Sequence, residues 1–95
     1  MRGIAEIAAA LAWVEDPRLI AAFLRSILTK RELQEVDGRW ELVKRLARGE
    51  SQRAIARRLG MSLCKITRGS RELKRGPVGF AKIVEKGLQL ERDGR

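Results

Sequence analysis

The chain has 95 residues, enough for one domain and too few for two. It has no His and a single Cys, Cys64, which excludes a His/Cys metal cluster and an internal disulfide. No apolar run is long enough to span a bilayer. The net charge is +9, and its placement is uneven. Between Lys44 and Arg75 eleven Lys and Arg side chains meet only two acids, Glu50 and Glu72, so this window carries the whole excess. Such a face suits a polyanion, nucleic acid first and an anionic membrane surface second. No nucleophile–base constellation or paired carboxylates stand out, so no catalytic residue and no enzyme activity are expected. Hydrophobic residues make up 44% of the chain, and a domain this short cannot cover all of that surface, so a second copy of the chain is expected as a partner.

Tyr is absent, aromatics are scarce, and no stretch alternates apolar and polar residues in the manner of a strand. Ala, Leu, Arg, Glu and Lys dominate, and these side chains lose little freedom in a helix, so the fold class is all-α. Met1 to Leu11 holds Glu6 and lacks the basic start and cleavage motif of a secretory signal; a reduced, cytoplasmic protein is expected. In chain order, Ile4, Ile7, Ala8 and Leu11 recur at helical spacing and predict a first helix from Ile4 to about Val14. Asp16-Pro17 reads as an N-cap followed by proline at the first helical position. The second helix then runs from Pro17 to Leu28, with Leu19, Ile20, Phe23, Leu24 and Ile27 expected to be buried. Thr29 followed by Glu32 fits a capping box and opens a long third helix to about Arg48. There Leu33, Val36, Trp40, Val43 and Ala47 form one stripe, with Leu42 and Leu46 beside it. Gly38 weakens this helix by about 1 kcal/mol relative to Ala, and Gly49 suits its C-terminal closure. Ser51 caps a short helix, Gln52 to Leu59, ended by Gly60; Ser62 caps the next, Leu63 to about Arg75. Gly76-Pro77 breaks the chain before a last helix to Leu90, with Phe80, Ile83, Val84 and Leu88 inward and a frayed tail from Glu91 to Arg95.

Gln52 to Leu73 reads as a helix-turn-helix. Ala56 is small where the two helices must approach, Gly60 tolerates the positive φ of the turn, and Ile55, Leu59, Met61, Leu63 and Ile66 form the apolar seam. In this motif the N-terminal residues of the second helix face base edges in the major groove. Leu63, Cys64, Lys65 and Thr67 are the candidates for that edge: the first two for thymine methyls, Lys65 for guanine or a phosphate. Gln52 and Arg53 are placed for the backbone or a base, while Arg57, Arg58, Arg71 and Lys74 supply general phosphate attraction. Cys64 also admits a redox-sensor reading, although no second thiol accompanies it.

At these residues the sequence resembles the tryptophan repressor family. The features recur in order: Leu28-Thr29 before the long helix, Arg39 in its first half, Gly49-Glu50, Ser51-Gln52-Arg53, Leu59-Gly60, then Ile66-Thr67-Arg68-Gly69-Ser70, Leu73-Lys74 and Pro77-Val78. The resemblance implies an intertwined homodimer of six helices per chain, forming one domain over residues 1–95. It implies a repressor of tryptophan-related operons that binds a double-stranded operator when L-tryptophan is bound. In the family the indole lies between two arginines, and Arg39 and Arg68 fall on those positions; guanidinium planes stack on an indole face and also pair with carboxylates. The same correspondence places Leu28, Thr29 and Gly69 at the ligand and Arg68 at the DNA as well. Where the family has a threonine and a serine at the pocket, this chain has Lys65 and Glu72, seven residues apart on one helix face. They are placed either to pair with each other or to meet a ligand's carboxylate and ammonium. Two other readings are open: the same fold answering to another ligand or to none, and a basic helical module for membrane surfaces or proteins.

Overall fold

The computed structural model describes residues 1–94 and holds six helices, with no strand among the described residues. They are α1 (Arg2–Trp13), α2 (Pro17–Ile27), α3 (Lys30–Ala47), α4 (Gln52–Leu59), α5 (Leu63–Arg75) and α6 (Val78–Asp93). Their ends are fixed by short polar side chains that take up the unpaired N–H groups of a first turn. The Asp16 side chain accepts from the Arg18 N–H at 2.9 Å, with Pro17 opening α2. Thr29 and Glu32 form the reciprocal capping box: the Glu32 N–H donates to Thr29 Oγ1 at 3.1 Å, and the Thr29 N–H to Glu32 Oε1 at 2.8 Å. Ser51 caps α4 through the Ala54 N–H at 3.1 Å, and Ser62 caps α5 through the Lys65 N–H at 3.4 Å. At the end of α3 the Gly49 N–H bonds to the Leu46 carbonyl and the Glu50 N–H to that of Arg45, a Schellman closure that needs the left-handed Gly49, φ 94°.

The chain divides into two units, Met1–Glu35 and Val36–Arg95, with α3 running across the boundary; Arg95 itself, the end of the tail expected to be frayed, lies outside the described residues. In the first unit no residue of α1 or α2 is buried. This corrects the expectation for α2: Leu19 (55% exposed), Leu24 and Ile27 face outward, and Ile20 and Phe23 are only half-covered. Trp13, the last residue of α1, is 83% exposed. The apolar stripes are real, but two short helices have too little surface of their own to cover them.

In the second unit the chain folds back on itself and a core forms. Leu42 of α3, Ile55 of α4 and Ile66 of α5 are buried together, with Leu46, Ala56, Leu59 and Met61 packed against them. Burying a side chain of this size contributes about 1.5–3 kcal/mol. On α3 the buried line is thus Leu42–Val43, while Val36, Trp40 and Ala47 of the anticipated stripe are exposed. Gly69 lets α5 approach α3 closely, since a β-carbon there would stand 3.3 Å from methyl groups of both Leu42 and Leu46. Gly38 has the same use at the other end: its absent β-carbon would stand 3.2 Å from the Met61 methyl. The cost in helix propensity is therefore offset by packing against the α4–α5 turn. On α6, Val84 is buried and Phe80 and Leu88 half-buried, whereas Ile83, expected to be inward, is 66% exposed. Helix α6 also begins one residue later than expected, Pro77 serving as its N-cap residue, and continues to Asp93 where fraying was expected. Glu91 explains the continuation, because its carboxylate is held by Lys44 of α3 at 3.0 Å and by Arg48, the residue after α3.

Candidate nucleic-acid interface

Helices α4 and α5 are joined by Gly60-Met61-Ser62, with Gly60 in the left-handed region at φ 64° and its N–H bonded to the Ala56 carbonyl at 2.9 Å. Ile55 and Ile66 are fully buried at their junction, and half-buried Ala56 sits beside them. With these side chains inward, Arg53, Arg57 and Arg58 of α4 and Cys64, Lys65, Thr67, Arg68, Arg71 and Lys74 of α5 are left exposed. Leu63 was expected both in the seam and at the outer edge. It is 53% exposed and belongs to the edge; the seam is made by Ile55, Leu59, Met61 and Ile66. Gln52, first residue of α4, is tied to α5: the Thr67 hydroxyl donates to Gln52 Oε1 at 3.2 Å.

The basic window splits in two. At the end of α3 each cation has a carboxylate partner. Lys44 meets Glu91 at 3.0 Å and Glu41 at 3.4 Å; Arg45 meets Glu41 at 2.9 Å and Glu50 at 3.3 Å; Arg48 meets Glu91. The hydrogen bond to Glu50 raises the Arg45 pKa still further above its ordinary value. Lys44, and after it Arg48, hold the Glu91 carboxyl below the ordinary carboxylate value. On α4 and α5 the pattern reverses: among the described residues no ion pair engages Arg53, Arg57, Arg58, Lys65, Arg68, Arg71, Lys74 or Arg75. Within the window from Lys44 to Arg75, the positive charge available to an outside anion is therefore on these two helices. The Glu41–Arg45 pair is an i,i+4 contact within α3, whereas Glu91 lies 47 residues from Lys44 and left no local signal.

The residues anticipated around a ligand are spread over both units. Leu28 ends α2 and Thr29 is engaged in the capping box of α3, both in the first unit. Arg39, Lys65 and Arg68 are exposed in the second unit, and Gly69 is half-buried under Leu42 and Leu46. Lys65 and Glu72 form no ion pair with each other among the described residues. The Glu72 carboxylate instead turns along its helix toward Gly76, where an added β-carbon would stand 2.6 Å from its Oε2. A groove of about 650 Å³ in the second unit lies elsewhere, between the end of α3, the start of α4, α5 and α6; Gln52 and Lys74 are on its wall, and none of the residues anticipated around a ligand is. No helix of the described residues is long and apolar enough to cross a membrane.

These features define a small protein, helical throughout its described residues, whose basic window leaves its unpaired cations on two consecutive helices about a glycine turn. Comparison with known families gives the narrower assignment: the Trp repressor protein family model matches residues 2–88, and the chain belongs to that family. A "Trp operon repressor homolog" of Chlamydia trachomatis serovar L2 is 38% identical over 58 residues, covering 60% of this chain and 62% of the relative. The homolog of serovar D is 37% identical over 62 residues, covering 64% and 66%. The chain thus spans somewhat less than two thirds of the length of these relatives. No solved structure matches the chain.

Proposed function

We propose that this protein is a transcriptional repressor that binds operator DNA as a homodimer through α4 and α5, with L-tryptophan as co-repressor on tryptophan-related operons. The observation that carries the reading is the split in the basic window: the cations at the end of α3 are neutralised within the chain, and those on α4 and α5 are not. Phosphate contacts from such side chains release counterions, so binding weakens steeply as salt rises. Helix α5 enters the major groove with Leu63 and Cys64 toward base edges, and Arg53, Arg57 and Arg58 of α4 attract the backbone. The names of the relatives, Trp operon repressor homologs, support the target class. The exposed apolar stripes of α1 and α2 supply a surface for the second protomer.

Arg39 and Arg68 are the ligand-stacking pair in this reading, with Leu28, Thr29 and Gly69 at the ligand. Lys65 meets its carboxylate and Glu72 its ammonium. A second reading, the same repressor responding to another ligand or to none, is favoured by one observation: Glu72 is turned toward Gly76 and leaves Lys65 unpaired. Calorimetric titration with L-tryptophan separates the two. Saturable heat at one ligand per chain is the expected result; no heat up to millimolar ligand contradicts tryptophan dependence and leaves the second reading. Arg39→Ala is expected to lower ligand binding mainly, and Arg68→Ala to lower ligand and DNA binding together.

A further inference from the structure

We infer that Thr67 is a positioning residue: it turns the Gln52 side chain so that its amide NH2 is presented to an acceptor oxygen or nitrogen of the nucleic acid. The inference rests on the DNA-binding reading above and assigns a role to a pair of residues within it. The Thr67 hydroxyl has one proton, and in the structure it donates that proton to Gln52 Oε1 at 3.2 Å. Two consequences follow from the inventory of donors. Thr67 has no proton left for a phosphate or a base, so its contribution to binding passes through Gln52. The Gln52 amide is held by its oxygen, while its nitrogen, with two protons, bonds to nothing else among the described residues. Without Thr67 the amide rotates freely and presents either end. Ordering it in advance removes that freedom before binding rather than during it.

The surroundings favour a donor at this place. Ser51, the preceding residue, accepts from the Ala54 N–H through its side-chain oxygen and makes no hydrogen bond to Gln52 among the described residues. The nearest acid in sequence, Glu50, is drawn to Arg45 at 3.3 Å. Gln52 therefore starts α4 as a donor among donors, and a carboxylate there would meet the negative charge of the DNA.

The test is a double-mutant cycle read by fluorescence anisotropy, on a duplex selected from a randomised pool and on a scrambled duplex of equal length. Circular dichroism confirms that each variant is folded. Thr67→Val and Gln52→Ala are each expected to weaken binding about 3–10-fold, the size of one hydrogen bond, and the double variant to be no weaker than Gln52→Ala. Thr67→Ser keeps the hydroxyl and is expected to restore binding. Gln52→Glu keeps the acceptor for Thr67 but loses the donor, and is expected to bind more weakly than Gln52→Ala at low salt. Equal losses on both duplexes place the acceptor on the backbone; losses confined to the selected duplex place it on a base. Additive losses, full affinity for Thr67→Val beside an impaired Gln52→Ala, or full affinity for Gln52→Glu overturns the inference while leaving DNA binding intact. Failure of the unaltered protein to bind either duplex overturns the DNA-binding reading itself, and this inference with it.

Discussion

The pairs α1–α2 and α4–α5 leave opposite kinds of surface uncovered. In α1 and α2 no side chain is buried, and Ile4, Leu19, Leu24 and Ile27 face outward. In α4 and α5, Ile55 and Ile66 are fully buried and most of the uncovered side chains are cations. The difference arises from what each pair packs on. Helices α4 and α5 close over Leu42 of α3, helped by the left-handed Gly60 and the missing β-carbon of Gly69. Helices α1 and α2 have stripes of similar type and no such seat. Unmet apolar area drives association with another chain, and unmet charge drives association with a polyanion.

The comparison is broken most severely at the core. Ile66→Ala removes the buried contact between α4, α5 and α3, and is expected to cost about 2–5 kcal/mol in urea denaturation. The protein concentration is held fixed, because the stability of the proposed dimer depends on it. Next, Leu24→Glu places a charge on the open face of α2. It is expected to weaken self-association at least about tenfold by sedimentation equilibrium, the effect of one buried apolar anchor replaced by a charge, while leaving helix content unchanged. If Leu24→Glu associates as the parent does, the apolar face of α2 is not the partner surface. A smaller effect is expected on α4, where Arg57→Ala lowers the slope of log affinity against log salt by about one phosphate contact.

The smallest effect concerns the clamp between α3 and α6. The folded-state value of Glu91 is lowered from its ordinary 4.5, so its contribution is fully present above that value and is lost as pH falls through the lowered one. The stability difference between the parent and Glu91→Gln is therefore expected to be steady at neutral pH and to close below about pH 4.5, followed by urea unfolding across pH 3–6. A difference that persists at the acid end contradicts the role of the charged carboxylate.

What was legible in the sequence was local. Asp16-Pro17, the Thr29–Glu32 box, Ser51, Ser62 and Gly60 each act within a few residues, so their spacing fixes a helix end. Burial was less legible, because periodicity shows that a stripe exists but not what covers it. Leu19, Leu24 and Ile27 have the pattern of a core face and no cover in one chain. Ile83 has the same pattern and is likewise exposed. The neutralisation of Lys44, Arg45 and Arg48 was hidden in part, since Glu91 reaches the first and last of them across the chain. Counting charge over Lys44 to Arg75 therefore placed the basic region correctly and overstated how much of it is free. Leu63 was ambiguous because the first turn of α5 begins just beyond the seam, and only the packing of Met61 and Ile66 showed which side it takes.

The most direct test of the central claim is the salt dependence of duplex binding, measured by fluorescence anisotropy for the parent and for Arg53→Ala/Arg57→Ala. If α4 and α5 carry the free charge that meets DNA, the parent binds with an affinity that falls linearly in log salt, and the double variant loses about two contacts' worth of slope. Absence of duplex binding, or the same slope in both proteins, contradicts the account.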